Sequence, residues 1–219
     1  NTDSIRSSKE KINTKIQFSG RDIISNDVNI IYREWANLLQ GDAVSMRLLS
    51  GLHAHTIVFM ALTSIGDHVA ILPEAAGGHM STKAILQRLG LVVHELEVDY
   101  INKKIDIRRS LDMFKKYSPK VIFIDRSEGL VYEDFSWLKD VPAYKIFDAS
   151  QYLTNIISKD YPNPFQWGFD LILTTLHKNL PGPQRAMICT KTKDENWSRI
   201  KSGISTYVSN MHVFSIYSA

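Results

Sequence analysis

The order of apolar and polar positions along the chain predicts short buried strands that alternate with helices. From Asp27 onwards, apolar residues recur at helical spacing, and Gly41 is expected to cap the end of this helix. The segments that follow are short and almost wholly apolar, which is typical of strands in a sheet covered on both faces. The predicted strands are 43–49, 68–72, 91–98, 121–124, 144–147, 171–174 and 186–189, and the predicted helices are 52–64, 79–89, 106–117, a short one at 137–138 and one starting near 195.

This alternation predicts an α/β fold with a doubly wound, mainly parallel sheet. The first 26 residues are polar and rich in Ser, Lys, Asn and Asp, and we interpret them as a loosely held arm. We therefore divide the chain into an N-terminal arm and helix, residues 1–40, and a large domain, residues 41–219.

Composition narrows the classes of function. Apolar residues make up 44% of the 219 positions and charged residues 22%, as in an ordinary globular domain, and the net charge of +3 gives no reason to expect a nucleic-acid partner. The single cysteine, Cys189, cannot form an intrachain disulfide and suits a reducing compartment. No apolar run approaches the roughly 20 residues that span a bilayer, and no signal peptide is visible. We expect a cytoplasmic protein without a membrane partner.

Polar residues follow the ends of the predicted strands, where ligands bind in open α/β sheets. If the sheet is as predicted, five clusters meet at one edge: 50–51, 74–79, 125–127, 148–151 and 174–178. His53 and His55 project about 200° apart on a helix and do not share a ligand easily, so no metal site is expected.

Two residues of these clusters can carry covalent or acid–base chemistry. The amine of Lys178 can lose its proton near a cationic cofactor and form an imine, and the alternative is a solvated loop lysine. The carboxyl of Asp148 can pair with a protonated pyridine nitrogen, and the alternative is a helix cap.

Two further clusters suit a phosphate and a flat ring. Ser50 and Gly51 precede an apolar helix, whose free N–H groups favour an anion, and a plain helix cap is the alternative. Gly77 and Gly78 allow close approach of the backbone, and His79 beside them can stack on a ring or be an ordinary surface histidine.

Taken together and in this order, the clusters resemble serine hydroxymethyltransferase, an enzyme that uses pyridoxal 5'-phosphate (PLP) and has the aspartate-aminotransferase type of fold. The resemblance runs from about Ala43 to Lys191. Its most specific part is Thr174-Thr175-Leu176-His177-Lys178, followed by Gly182-Pro183.

The resemblance implies a role for each matching position. Lys178 would be the Schiff-base lysine, Asp148 would bind the pyridine nitrogen, and His79 would stack on the ring. Thr175 would lie close to the lysine and help to reposition the substrate. These four are the expected catalytic residues.

The same resemblance implies how the rest of the cofactor is held. Ser50 and Gly51 would bind the phosphate with help from His177. Ser127 would lie near the ring oxygen. Gln151 takes the place of a family histidine that touches the phenolic oxygen, and it can form hydrogen bonds but cannot titrate near neutral pH.

The resemblance also implies the architecture. We expect a three-layer sandwich with a mostly parallel seven-stranded sheet, which is the PLP-binding large domain of fold-type I enzymes. Their active sites lie at a dimer interface, so we expect a homodimer. Residues 1–40 do not match the family's catalytic N-terminal segment, and its small C-terminal domain is expected to be absent.

Other departures affect the expected reaction. The family's Arg-Gly-Gly after Gly-Pro is replaced by Gln184-Arg185-Ala186, and its glycine-rich loop by residues 205–210. We therefore expect aldol-type Cα–Cβ cleavage or formation on a small amino acid, of glycine/serine or threonine aldolase or transaldolase type. The alternatives are another PLP reaction, such as transamination or β-elimination, and a catalytically silent scaffold that kept the fold.

Overall fold

The structure is a computed structural model that describes residues 21–102, 104–129 and 132–208, with only the backbone described for residues 21–25. The predicted N-terminal arm and the segment after residue 208 lie outside the described residues. In the described ranges, no helix has the length and apolar character needed to cross a membrane.

The described chain alternates strands and helices, as the apolar pattern predicts. The strands are β1 Ala43–Leu48, β2 His68–Ile71, β3 Val92–Glu95, β4 Val98–Asp99, β5 Lys104–Ile105, β6 Val121–Asp125, β7 Tyr144–Asp148, β8 Leu171–His177 and β9 Pro181–Thr190. The α-helices are α1 Arg21–Leu38, α2 Gly51–Leu62, α3 Thr82–Arg88, α4 Ile107–Tyr117, α5 Leu153–Ser158 and α6 Glu195–Tyr207. Short 3₁₀ helices lie at Glu74–Ala76, Ser136–Leu138 and Pro164–Trp167.

Seven strands form the main sheet, in the order β1-β9-β8-β7-β6-β2-β3. The five strands from β8 to β3 are parallel, and β9 is antiparallel to both of its neighbours. One apolar cluster lies under α1, α4 and α5 on one face of the sheet, and the other lies under α2, α3 and α6 on the opposite face. The predicted fold class, a three-layer α/β sandwich with a mostly parallel seven-stranded sheet, is confirmed.

The boundaries differ from the predicted ones where pairing, rather than apolar character, decides the strand. The segments 171–174 and 186–189 were predicted as short strands, but β8 and β9 form a longer antiparallel hairpin in which His177 pairs with Pro181. Because backbone hydrogen bonds continue into polar sequence, Thr175 and His177 lie within β8 and not after it. The predicted strand 91–98 is divided between β3 and β4, and β4 pairs with β5.

The end of α1 is capped by a different residue from the one predicted. Gln40, with φ 58°, adopts the left-handed conformation, and the N–H of Gly41 donates to the carbonyl of Ala36 at 2.9 Å. In this common helix cap, the residue after the helix is left-handed, and the N–H of the next residue bonds to the carbonyl five positions before it. Gly41 is needed for space instead, because a Cβ there would lie 2.4 Å from Sγ of Cys189.

These two positions predict opposite effects of two substitutions on stability. Gln40→Gly relieves the left-handed strain of a non-glycine residue and should raise the free energy of unfolding by about 0.5–1 kcal/mol. Gly41→Ala forces a methyl group against Cys189 and should lower it by about 1–3 kcal/mol. Urea unfolding of both variants measures the difference, and equal effects would show that the cap is wrongly placed.

Candidate active site

The carboxyl ends of the parallel strands lie along one edge of the sheet, and a buried aspartate lies near the centre of that edge. Asp148 ends β7 and has only 8% of its surface exposed. Its Oδ2 lies 2.8 Å from Nε2 of His55 on α2. Its Oδ1 accepts hydrogen bonds from the backbone N–H of Ser150 at 2.8 Å and from the Ser150 hydroxyl at 2.5 Å.

These donors keep the carboxyl of Asp148 ionised. Burial opposes its ionisation, but the hydrogen bond and charge of His55, together with both donors of Ser150, outweigh burial and lower the pKa of Asp148. Because a carboxylate only accepts hydrogen bonds, Nε2 of His55 carries the proton that they share. The result is a fixed negative charge in a dry part of the crevice.

Lys178 lies in the turn of the β8–β9 hairpin and is exposed. The turn is attached to the Asp148 site on both sides of the lysine. Before it, the N–H of Thr175 donates to the Ser150 hydroxyl at 2.9 Å. After it, the side-chain oxygen of Asn179 accepts from the backbone N–H of Thr154 at 2.7 Å. These two hydrogen bonds therefore fix the backbone that carries the lysine side chain.

His79 completes the crevice on the β2 side. Its ring centroid lies 6.5 Å from that of His55, with the ring planes perpendicular. Burial first, and then the nearby charges of His55 and Lys178, lower the pKa of His79, against the opposing effect of Asp148. Both Lys178 and Asp148 thus lie close enough to His79 to shift its pKa.

The N-terminus of α2 lies against Thr175. The Ser50 hydroxyl caps the helix by accepting from the N–H of His53 at 3.2 Å. A Cβ at Gly51 would approach Cγ2 of Thr175 to 3.1 Å, so glycine lets the helix end come close to β8. The first N–H groups of a helix have no partner within it, which leaves them directed at this part of the crevice.

Ser127 and Gln151 form another wall. The amide of Gln151 donates to the Ser127 carbonyl at 2.9 Å, and the N–H of Ser127 donates to the carbonyl of Gly77 at 2.9 Å. These bonds join the loops after β2, β6 and β7. His177, at the exposed end of β8, has its ring held by the N–H of Arg185, which donates to Nδ1 at 3.2 Å.

The residues present fit the cofactor that the sequence resemblance implies. The polar atoms at this edge that are buried without a hydrogen-bond partner in the described parts of the chain include Oγ1 of Thr175, Nδ1 of His55 and Oδ1 of Asp125. Buried polar atoms are nearly always bonded, so these atoms indicate a site built for a polar ligand. A fixed carboxylate, a lysine and an open helix N-terminus match a pyridine nitrogen, an aldehyde and a phosphate.

Two residues at the centre of this site were given no role from the sequence. His55 was considered only as a metal ligand, although a histidine on the buried side of an apolar helix is itself a sign of a functional partner. Ser150 was placed in the cluster after β7 but not recognised as a donor to Asp148. No group of three metal-binding side chains occurs in the ranges that the structure describes.

Known proteins resemble this chain in sequence and in fold. The family model described as serine hydroxymethyltransferase matches residues 15–217. A serine hydroxymethyltransferase of Pyrobaculum calidifontis is 30% identical over 84% of this chain and 44% of its own length. That of Pyrobaculum islandicum is 32% identical over 83% of this chain and 44% of its own length. The chain thus spans less than half the length of these relatives.

A solved structure shares the fold. L-threonine transaldolase from Pseudomonas fluorescens, in the internal aldimine state, superposes with a TM-score of 0.80 at 19% identity, over 87% of this chain and 44% of that one. The family match confirms the resemblance found in the sequence, and with it pyridoxal 5'-phosphate as the cofactor.

The bond between His55 and Asp148 predicts a large effect of His55→Leu. The substitution leaves a buried carboxylate without one of its donors, and we expect the free energy of unfolding to fall by about 3–5 kcal/mol at neutral pH. Stability that depends on a lowered pKa is present above the unfolded-state pKa and is lost as the pH falls through the folded-state pKa. The variant should therefore lose less stability on acidification than the wild type does.

Urea unfolding over a range of pH measures both effects. His53→Leu is the matched control, because His53 is on the same helix but only partly buried and bonds to Leu49. Equal losses in the two variants would contradict the assigned role of His55.

Proposed function

Because the chain belongs to the serine hydroxymethyltransferase family, we propose that it is a PLP-dependent enzyme that forms or cleaves the Cα–Cβ bond of a small amino acid. The observation that carries the proposal is the buried carboxylate of Asp148, held ionised by His55 and Ser150. Its position beside the lysine hairpin supports the assignment. When bound, the cofactor supplies an electron sink for charge that develops at the amino acid's α carbon.

In this proposal Asp148 holds a proton on the ring nitrogen of the cofactor. A carboxylate that stays charged in a dry crevice favours the protonated form of a facing nitrogen. The hydrogen bonds from Ser150 and His55 fix the direction of its oxygens. Loss of this charge would remove the main reason for the ring to withdraw electrons.

Lys178 is the proposed amine to which the cofactor's aldehyde attaches. Bonds at Thr175 and Asn179 hold the turn in place, so the amine approaches from one direction. Thr175, whose hydroxyl is buried without a partner in the described residues, is the nearest proposed contact for an incoming substrate.

The other predicted residues hold the rest of the cofactor in this proposal. His79 covers one face of the ring. Ser50 and Gly51 bind the phosphate at the N-terminus of α2, with His177 nearby. Ser127 and Gln151 lie on the side of the ring oxygen, where the non-titrating amide of Gln151 replaces an ionisable group.

Because Gln151 replaces an ionisable group near the ring oxygen, we keep a PLP reaction of another type, such as transamination or β-elimination, as the second candidate. An amide near the ring oxygen donates and accepts hydrogen bonds but does not move a proton near neutral pH. A silent scaffold is less well supported, because these unpartnered buried polar atoms at one edge are costly to keep without a ligand.

The assembly and the location also belong to the proposal. We propose a homodimer, as the family resemblance implies, and a small amino acid as the substrate. A cytoplasmic location stays a prediction. The one cysteine of the chain, Cys189, is buried, and burial raises its pKa to about 12.

The first test is covalent trapping of the cofactor. Protein incubated with PLP and reduced with borohydride should carry a phosphopyridoxyl group on the peptide that contains Lys178, as detected by mass spectrometry. Lys178→Arg should abolish the adduct, and Lys159→Arg, a change at an exposed lysine of α5's C-terminus, should leave it unchanged. An adduct elsewhere, or none in folded protein saturated with PLP, would reject the cofactor site.

The second test separates the reaction types. Aldol-type chemistry predicts that threonine or another β-hydroxy amino acid releases an aldehyde without any keto acid. Aldehyde release and amino-group transfer are measured in parallel, with and without keto acid. Turnover that requires a keto acid would establish transamination instead, and no turnover by PLP-loaded protein would favour the scaffold.

A further inference from the structure

A second aspartate lies beside Asp148 and has no part in the roles described so far. Asp125 ends β6, and in the parallel register it faces Asp148 at the end of β7. Only 1% of its surface is exposed. Adjacent strands are about 4.8 Å apart, so two carboxyl groups enter the same dry region side by side.

The contacts of Asp125 attach it to the segment that carries His79. Oδ2 of Asp125 accepts from the hydroxyl of Thr82, the first residue of α3, at 2.5 Å. The backbone N–H of His79 also faces this carboxyl and lowers its pKa. Asp125 therefore contacts the segment both at His79 and just beyond it.

The other side of this segment is held by the loop after β6, where the Ser127 hydroxyl donates to the Gly78 carbonyl at 3.4 Å. Gly78 forms an isolated bridge with Arg126, and a Cβ at Gly78 would lie 2.2 Å from the Leu72 carbonyl oxygen. His79 thus lies between the bridge at Gly78 and Thr82, whose hydroxyl bonds to the Asp125 carboxyl. The bond between Thr82 and the Asp125 carboxyl is a contact of this segment that a substitution can remove.

The charge of Asp125 is the second part of the argument. Burial raises its pKa to about 7, against the lowering effects of the Thr82 hydrogen bond and of His55, while Asp148 raises it further. His55 and Asp148 are the titratable groups that act on it, and Lys178 acts on His79. Two neighbouring carboxylates in one dry site disfavour double ionisation, so the better-hydrogen-bonded Asp148 keeps its charge.

We propose that Asp125 is a positioning residue of the cofactor site: through its hydrogen bond to Thr82 it holds the segment that carries the His79 ring, and it lies beside Asp148 as the second carboxyl of the pair. This inference rests on the proposed function, because it assigns His79 and Asp148 to the two sides of one bound ring. Oδ1 of Asp125 is buried and has no hydrogen-bond partner in the described residues.

The first measurement needs no cofactor. In protein labelled with ¹³C at the aspartate carboxyl carbons, the signal that disappears in Asp125→Asn should titrate with a midpoint near 7. Thr82→Val removes a hydrogen bond that lowers this pKa, so the midpoint should move upward. A midpoint near 4, the ordinary value for aspartate, would show that Asp125 is ionised at neutral pH and would overturn the inference that Asp148 keeps the charge of the pair.

The second measurement is the binding of PLP, followed by its absorbance. Asp125→Asn and Thr82→Val should each weaken binding about tenfold, the size expected from one lost hydrogen bond. In Asp125→Asn the pH profile of the bound cofactor's absorbance should also lose its step near pH 7, a change that a purely structural role would not cause.

Matched controls lie at the opposite edge of the sheet. Asp170→Asn changes another aspartate whose pKa burial raises, and Thr190→Val changes another buried threonine hydroxyl. Both should bind PLP as the wild type does. Wild-type affinity and pH profile in both Asp125→Asn and Thr82→Val would overturn the inference while the cofactor site stands. Wild-type protein that binds no PLP would overturn the proposed function, and with it this inference.

Discussion

The site depends on one carboxylate that stays charged although it is buried. Asp148 lies at the end of a central strand, where burial alone would favour its neutral form. Its ionisation requires donors that come from distant parts of the chain, namely His55 on α2 and Ser150 after β7. The parallel sheet brings these parts together, so the fold and the electrostatics of the site are one arrangement.

The sheet also explains why residues far apart in sequence act on the same crevice. Parallel strands point their carboxyl ends to one edge, and loops from β1, β2, β6 and β7 converge there. The β8–β9 hairpin is an exception, since it reaches the edge as a paired strand and turn. This pairing gives Lys178 a firmer support than a free loop would, because Ser150 and Thr154 hold the hairpin on either side of the lysine.

Much of this was predictable from the sequence, for reasons that differ by residue. Buried strands are short apolar runs, so the fold class and the positions of Asp148 and Lys178 at the sheet edge followed from pattern and motif. The end of β8 did not, because its last residues are polar and are held in the strand only by pairing with β9. The role of His55 was missed because the helix pattern places it among apolar residues, and its partner lies 93 positions away.

Local geometry was also beyond the pattern. Glycine is the residue type expected at a helix cap, but the left-handed residue is Gln40, and Gly41 is needed because it packs closely against Cys189. Asp125 was placed at the correct edge of the sheet, yet its neighbour Asp148 and its partner Thr82 become visible only when the strands are in register.

The most direct test of the account is the protonation state of the bound cofactor. PLP labelled with ¹⁵N at the ring nitrogen can be bound to the protein and its nitrogen shift followed by NMR across the neutral pH range. The account predicts a protonated ring nitrogen throughout, and its loss in Asp148→Asn. A ring nitrogen that is unprotonated in the wild type, or that is indifferent to Asp148→Asn, would contradict the central role given to this carboxylate.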